Sequence, residues 1–498
     1  MFNDFINGIK DELNVSTTEN GAKGYLTTNK AIVDFNFKIS SYRNKSENAI
    51  IVDFKKVYYE DPQLALKYIF YVRDIREGLG ERRLFRICIK EIINQLDNRV
   101  FDWIAEYGRY DDLFVFFDTK LEDQMITYVY NQLINDMNNC IANKSVSLLA
   151  KWMPSIKTSS KESMMMAKKF INGFNKFNQE DKITSKDYRK TLSKLRSYID
   201  VIEKKQCANE WDKINYSTVP SIANLKYKDA FMRHDKIRRT EYLESLERGE
   251  IKINSSVTFP HNIVSKYNIR NGKDITLEEM WKALPNYVNG NSNTIVVRDG
   301  SGSMTWSGNN DVKPIDIATA LAIYFSERCE GVFKDKFITF SSKPELISFE
   351  KYKTLQDKLR LCSTYNDCSN TDLKKVFDLV LKTSVANKLT QEEIPTLLIM
   401  SDMEFDNACV ENPDEKLFIT IAKEFNQYGY KLPKLVFWNI CSRTNTIPIT
   451  QNELGVILVS GYSPAICKMI LQEENDPYKT ILNILNLDRY KQITLKNQ

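Results

Sequence analysis

The sequence predicts an α-helical repeat domain of HEAT-like units followed by a doubly wound α/β domain, and three observations carry that expectation. Residues 51 to 288 repeat a helical apolar period broken by capping residues and glycines. An Asn- and Gly-rich linker, Pro285-Asn-Tyr-Val-Asn-Gly-Asn-Ser-Asn293, then interrupts that rhythm. Beyond it, short apolar runs alternate with helical patterns, as in a mainly parallel sheet covered on both faces. The 498 residues suffice for two or three domains, and 42% hydrophobic with 27% charged residues is a globular composition.

Residues 1–50 read as an irregular segment packing on the repeats, ending in the apolar-rich Ala31-Ile-Val-Asp-Phe-Asn-Phe-Lys-Ile-Ser-Ser-Tyr42. Asp61-Pro62 supplies a capping oxygen and a proline at the first helical position. Leu64, Tyr68, Ile69, Val72 and Ile75 follow on one face, and Gly78 and Gly80 can end the helix. A second helix carries Leu84, Ile87, Cys88 and Ile92, and segments near 99–117 and 121–138 repeat the rhythm. Hairpins of roughly forty residues have the size of HEAT-type units. A basic amphipathic helix is expected from Thr184 to Lys205, with Tyr188, Leu192, Leu195, Ile199 and Ile202 on its apolar face. Lys186, Arg189, Lys190, Lys194 and Arg196 lie opposite, and Arg238 and Arg239 belong to a second basic cluster.

In the α/β domain, expected at 289–498, strands read at 293–299, 335–341, 395–401, 433–440 and 454–460. Helices read near 312–328, 371–385, 415–427 and 463–472, with one more closing the chain. Ligands of such sheets bind beyond the carboxyl ends of the strands.

The most informative phrase is Asn293-Thr-Ile-Val-Val-Arg-Asp299-Gly-Ser301-Gly-Ser303-Met304, an apolar strand running into an Asp-x-Ser-x-Ser loop. A carboxylate and two hydroxyls at alternate positions, with small residues between, can turn three oxygens toward one point that suits Mg²⁺. A Gly-Ser loop alone would be a solvated turn. Asp402, after the apolar run Pro395-Thr-Leu-Leu-Ile-Met-Ser401, and Thr371, at the opening of a helical pattern, supply further oxygens. The loop is not a Gly-x-Ser-x-Gly nucleophile elbow, and neither histidine, His234 or His261, is near it in sequence. It also lacks the lysine of a phosphate-cradling loop.

At these positions the sequence resembles the von Willebrand factor A fold, whose metal-ion-dependent adhesion site uses Asp-x-Ser-x-Ser, then a Thr, then an Asp. The resemblance implies Ser301 and Ser303 as direct ligands, and Asp299 and Asp402 as ligands directly or through water. Thr371 would complete the site around Mg²⁺, or another hard cation such as Ca²⁺ or Mn²⁺, and an acidic group of a partner protein often fills the last position.

The net charge of +5 is unevenly spread: residues 151–250 carry 22 basic against 14 acidic side chains, while residues 251–498 balance at 29 each. A surplus of this kind is either a set of solvated helix faces or a polyanion surface. Helical repeats followed by a von Willebrand A domain resemble the layout of the Ro autoantigen (TROVE-module) ribonucleoprotein family. Thr18-Glu-Asn-Gly-Ala-Lys-Gly24, Tyr71-Val-Arg-Asp-Ile-Arg-Glu-Gly-Leu-Gly-Glu-Arg-Arg83, Tyr107-Gly-Arg-Tyr-Asp-Asp-Leu113 and Leu148-Leu-Ala-Lys-Trp-Met-Pro154 are similar over nearly the whole chain to an uncharacterised family of the same layout. In Ro proteins the repeats close into a ring that binds misfolded RNA ends in its hole and small structured RNAs outside. The resemblance therefore implies RNA as a partner, with phosphate contacts at Lys186, Arg189, Lys190, Lys194, Arg196, Arg238 and Arg239. The spacings of Tyr188 and Trp152 point to core positions rather than stacking platforms.

The expected function is thus a non-catalytic RNA-binding scaffold with a divalent-metal site. The alternative is a protein-protein assembly factor gripping an acidic partner residue. An enzyme is disfavoured because no nucleophile–base pair stands out. No run approaches the roughly eighteen apolar residues of a membrane span, the start lacks the order of a signal peptide, and nine scattered cysteines form no Cys-x-x-Cys pair. A cytoplasmic protein without membrane partners is expected.

Overall fold

The computed structural model describes residues 14–18, 23–178, 180–288, 293–306, 312–366, 372–404, 415–444, 446–448, 456–470 and 476–495. They form two compact units: residues 1–65, 220–226 and 245–491 in one, and residues 66–219, 227–244 and 492–498 in the other.

The first unit is built on a six-stranded sheet. A short antiparallel pair precedes it, β1 (Val15–Thr17) and β2 (Lys23–Tyr25). The sheet holds β3 (Thr294–Asp299), β4 (Lys336–Phe340), β5 (Leu346–Ser348), β6 (Thr396–Ser401), β7 (Leu435–Asn439) and β8 (Val456–Ser460). Their order is β5-β4-β3-β6-β7-β8, parallel throughout except for the β4–β5 pair. Every residue of β3, β7 and β8 is buried. Since successive side chains point to opposite faces, both faces are covered, which is why these strands read as continuous apolar runs. The expected alternation holds, with helices Pro314–Arg328, Leu373–Ala386 and Glu415–Gln427 between strands. The three-residue β5 and the helix Leu355–Thr364 are additions to it. The chain enters at β3, moves to β4 on one side and then to β6 on the other, so the topological switch point lies between the carboxyl ends of β3 and β6.

Two expected boundaries shift. The segment before residue 50 packs on the sheet as well as on the helix Glu47–Glu60. Ala31–Phe37 is a helix whose Ile32, Val33, Phe35 and Phe37 are buried, and it lies against the edge strand β8. Ser40 Oγ donates to Asn439 O at 3.1 Å and Asn439 Nδ2 to Phe37 O at 2.8 Å. The stretch 245–288 likewise belongs to the sheet unit. Buried Glu278, on the helix Ile275–Lys282, accepts the N–H groups of Leu355 (2.9 Å) and Gln356 (3.0 Å), capping the helix Leu355–Thr364.

The second unit is helical. Its elements include Arg82–Glu91, Arg99–Tyr107, Glu122–Ile141, Lys161–Phe177 and Ser185–Tyr198. Phe70 meets Phe85, Trp103 and Tyr107 edge-on at 5.3, 5.7 and 5.7 Å. The cap read at Asp61 is present: Leu64 N donates to Asp61 Oδ1 at 2.8 Å as the helix Pro62–Arg73 begins. The helix expected across 184–205 is two helices. Asp200 takes φ +55° between Ser185–Tyr198 and Ile202–Cys207, a left-handed residue that ends the first. Among the described residues no helix is long and apolar enough to cross a membrane.

Candidate functional site

The carboxyl ends of β3 and β6 bring four of the five expected metal-site residues together; Thr371 lies outside the described residues. Asp299, the last residue of β3, is 2% exposed. Its Oδ1 accepts Ser301 N at 2.9 Å, folding the loop back on the strand end, and its Oδ2 accepts Ser401 Oγ at 2.6 Å from the neighbouring strand. Ser301 and Ser303 then stand with their hydroxyl oxygens 3.0 Å apart. Asp402, 4% exposed, accepts a hydrogen bond from Ser303 and lies close enough to Asp299 for the charges to interact. One turn of 3₁₀ helix, Gly302–Thr305, holds this arrangement with Met304 buried beneath it.

Two buried carboxyl groups share this edge of the sheet. Burial raises the Asp299 carboxyl above its usual range against the hydrogen bonds from Ser401 and Ser301. Burial and then the charge of Asp299 push Asp402 up to about 7. Arg443 Nη2, 3.5 Å from Asp402 Oδ2, offsets part of this charge. Among the described residues no group of three or more His, Cys, Asp or Glu side chains could hold a metal. An ion here would therefore depend on two carboxylates and two hydroxyls, a hard oxygen donor set that fits Mg²⁺, Ca²⁺ or Mn²⁺ and not a soft metal.

Four further residues shape the site. Ser401 positions Asp299 and also accepts Met403 N at 3.1 Å. Met403 is buried with φ +61°, a conformation non-glycine residues rarely adopt, just where the loop turns under Asp402. Glu404 ties this loop to the one after β7, accepting Arg443 N (2.8 Å), Thr444 N (2.9 Å) and Ser442 Oγ (3.1 Å). Arg298 points to the opposite face of β3 from Asp299 and is 1% exposed. Its Nε donates to Thr319 Oγ1 at 3.0 Å and its Nη2 to Asn366. The run Ser401-Asp402-Met403-Glu404 at a strand end contains three of these. Nothing in the sequence marks the pairing of Glu404 with residues 442–444.

The basic residues divide. Lys186, Arg189, Lys190 and Lys194 are exposed on the helix Ser185–Tyr198. Arg196 instead turns inward, donating to Ala150 O (2.8 Å), Met153 O (2.6 Å) and Ser155 Oγ (2.9 Å), which closes the carboxyl end of the helix Leu149–Trp152. Arg238 donates to Trp211 O and Ile214 O at 3.2 and 2.7 Å and to Asp235 at 2.8 Å. Arg239 is fully buried, its guanidinium 4.9, 5.2 and 5.1 Å from the rings of Tyr216, Phe231 and Tyr242. Arg196 and Arg239 are thus tied into the helical unit and turned away from solvent, which corrects their assignment as phosphate contacts, while Arg238, with 40% of its side chain exposed, keeps part of its guanidinium at the surface. Tyr188 is a core residue as expected, with its hydroxyl donating to Pro154 O at 2.7 Å.

Comparison with known proteins adds a family. A model described as "Domain of unknown function (DUF7788)" matches residues 293–490. One described as "Domain of unknown function (DUF2828)" matches residues 18–93 and 123–298. "Uncharacterized protein L728" of Acanthamoeba polyphaga mimivirus is 30% identical over 515 residues, spanning 95% of this chain and 87% of the relative. Among solved structures, the Ro (RSR) protein of Deinococcus radiodurans superposes with a TM-score of 0.46 at 13% identity, covering 83% of this chain and 91% of that one. That superposition is too loose to carry a functional inference. With just over half of its residues matched by one family model, and a relative aligned along nearly its whole length, the chain belongs to the DUF2828 family.

Proposed function

We propose that the protein is a non-catalytic scaffold that holds a divalent cation at the carboxyl edge of its sheet and binds RNA through its helical unit. The observation that carries the reading is the gathering of Asp299, Ser301, Ser303 and Asp402 at the switch point of the sheet. In this reading the site is of the von Willebrand A type, and the cation, Mg²⁺ before Ca²⁺ or Mn²⁺, supplies positive charge and a coordination position for an acidic oxygen. Asp299 is oriented by Ser401 and the Ser301 amide, and the hydroxyl oxygens of Ser301 and Ser303 lie 3.0 Å apart beside it. RNA binding is supported by the exposed row Lys186, Arg189, Lys190 and Lys194, which can follow a phosphate backbone. The RNA class is a small structured or misfolded strand.

A second reading has its own support. Trp306, 59% exposed, stands immediately after the Ser301–Ser303 loop. An exposed indole beside an oxygen-lined site is the kind of anchor that interface cores use, so an assembly factor gripping an acidic residue of a partner protein is the alternative. Ultraviolet crosslinking of the protein in its native source, followed by identification of what copurifies, separates the two. The scaffold reading expects crosslinked RNA; recovery of protein partners alone, with no RNA, contradicts it.

A further inference from the structure

The helical unit contains an arginine cluster that none of the preceding readings uses. The helix Arg82–Glu91 begins with Arg82 and Arg83 and has no acidic residue in its first turn. Positive charge at a helix amino end opposes the backbone dipole, and the buried Glu81 at the N-cap offsets part of it. Arg86, one turn on, and Arg109, from a separate loop, point to the same place.

Two carboxylates lie among these guanidinium groups, and both are saturated. Asp112, fully buried, accepts Arg73 Nε at 2.7 Å, Arg86 Nε at 2.6 Å and Arg109 N at 3.0 Å. Asp111 is bound in bidentate fashion by Arg109, at 2.9 and 2.5 Å. Arg86 Nη2 pairs with the same carboxylate at 2.9 Å. Arg82 Nη1 stays 3.8 Å away, and its side chain is 51% exposed. Arg73, Arg82, Arg86 and Arg109 thus exceed Asp111 and Asp112 by two positive charges. The strain registers on Arg82: burial first, then the charges of Arg109 and Arg86, lower its pKa in spite of Asp111 and Asp112. Arg109 is held rigid, its guanidinium carbon 3.9 Å from the ring centroid of Trp152.

We propose that Arg82, Arg86 and Arg109 form a binding site for a phosphate monoester. Three features select that ligand. The surplus of two charges matches the −1.5 to −2 of a monoester near neutral pH better than the single charge of a phosphodiester. Planar guanidinium forks suit phosphoryl oxygens, and Arg109 is already fixed in orientation by Asp111 and Trp152. Arg82 is extended over the cluster with only a long contact to Asp111 and can swing onto an incoming anion. The ligand is either the terminal phosphate monoester of a nucleic acid strand or free inorganic phosphate, which carries a similar charge. The site itself stands without the RNA reading, and only the strand source rests on it.

The test is calorimetry on the full chain with inorganic phosphate, pyrophosphate, and one short single-stranded RNA carrying either a 5′-phosphate or a 5′-hydroxyl. Arg82→Gln is the primary variant because half of its side chain is in solvent; Arg86→Gln is added if circular dichroism shows that it folds. The expected result is binding of at least one phosphate probe, weakened about tenfold by Arg82→Gln, the loss of one charge-assisted hydrogen bond. Preference for the 5′-phosphate RNA over the 5′-hydroxyl form, lost in the variant, identifies a strand end as the source. Binding of inorganic phosphate or pyrophosphate without that preference identifies a free anion. Affinities unchanged by Arg82→Gln, or no binding by any phosphate probe at millimolar concentration, overturn the proposal. RNA bound equally well with either terminus, with neither inorganic probe bound, sinks it too while leaving the RNA reading intact.

Discussion

The sheet edge and the basic helices of this protein concentrate functional side chains in opposite ways. At the sheet edge, Asp299, Ser301, Ser303 and Asp402 converge because two adjacent parallel strands end side by side and the loop spacing of two residues turns oxygens inward. In the helical unit, seven basic residues share a region but not a purpose. Lys186, Arg189, Lys190 and Lys194 face solvent, while Arg196, Arg238 and Arg239 are bonded or stacked within the unit. A short motif at a strand end specifies its own geometry, whereas a charge surplus specifies only a composition. Arginine is the residue that most often defeats the simpler expectation, since its fork satisfies several carbonyls at once and its plane stacks on rings.

The largest expected effect is at the sheet edge. Asp299→Ala should remove measurable Mg²⁺ binding by calorimetry, a loss beyond the roughly hundredfold that an outer partner costs, while RNA affinity stays unchanged. Retained Mg²⁺ affinity would show that the loop is a solvated turn after all.

Acid should distinguish the units next. His261, buried in the sheet unit against Phe259 and Tyr462, has its pKa pushed down to about 3 by burial and then by Arg43. Its folded value lies below its unfolded one, so its contribution is complete above pH 6.5 and is lost as pH falls toward 3. That contribution is on the order of 5 kcal/mol, and replacing the imidazole by an amide in His261→Gln should flatten the dependence in urea titrations. An equally steep acid loss in that variant would place the sensitivity elsewhere.

Within the basic residues, Arg239→Ala should cost roughly 3 kcal/mol of stability, because it empties the space between Tyr216, Phe231 and Tyr242. The salt dependence of RNA binding should not change. Lys194→Ala should do the reverse, staying within about 0.5 kcal/mol in stability while lowering the slope of log affinity against log salt by about 0.7. Equal stability effects from the two substitutions would erase the division between them.

Much of this was legible in the sequence, for identifiable reasons. The buried strands read clearly because both faces of the sheet are covered, and the Asp61-Pro62 cap because its chemistry is local. Asp299 and Asp402 were readable for the same reason, one closing the apolar run of β3 and the other directly following that of β6. Features that join distant segments were not. β5 has only three residues. Glu278 caps a helix 77 residues away, and Glu404 receives amides from the loop after β7. Helix Ala31–Phe37 covers β8 more than 400 residues later in the chain. Apolar periodicity also continued across Ile199 and Ile202, but Asp200 breaks the helix through its backbone conformation, which an apolar pattern does not record.

The most direct test of the metal site is anomalous diffraction from crystals grown with Mn²⁺. The predicted result is one strong peak in contact with the hydroxyl oxygens of Ser301 and Ser303 and beside Asp402, absent from crystals of Asp299→Ala grown identically. A map at saturating Mn²⁺ with no peak at that position in the wild-type protein would contradict the account.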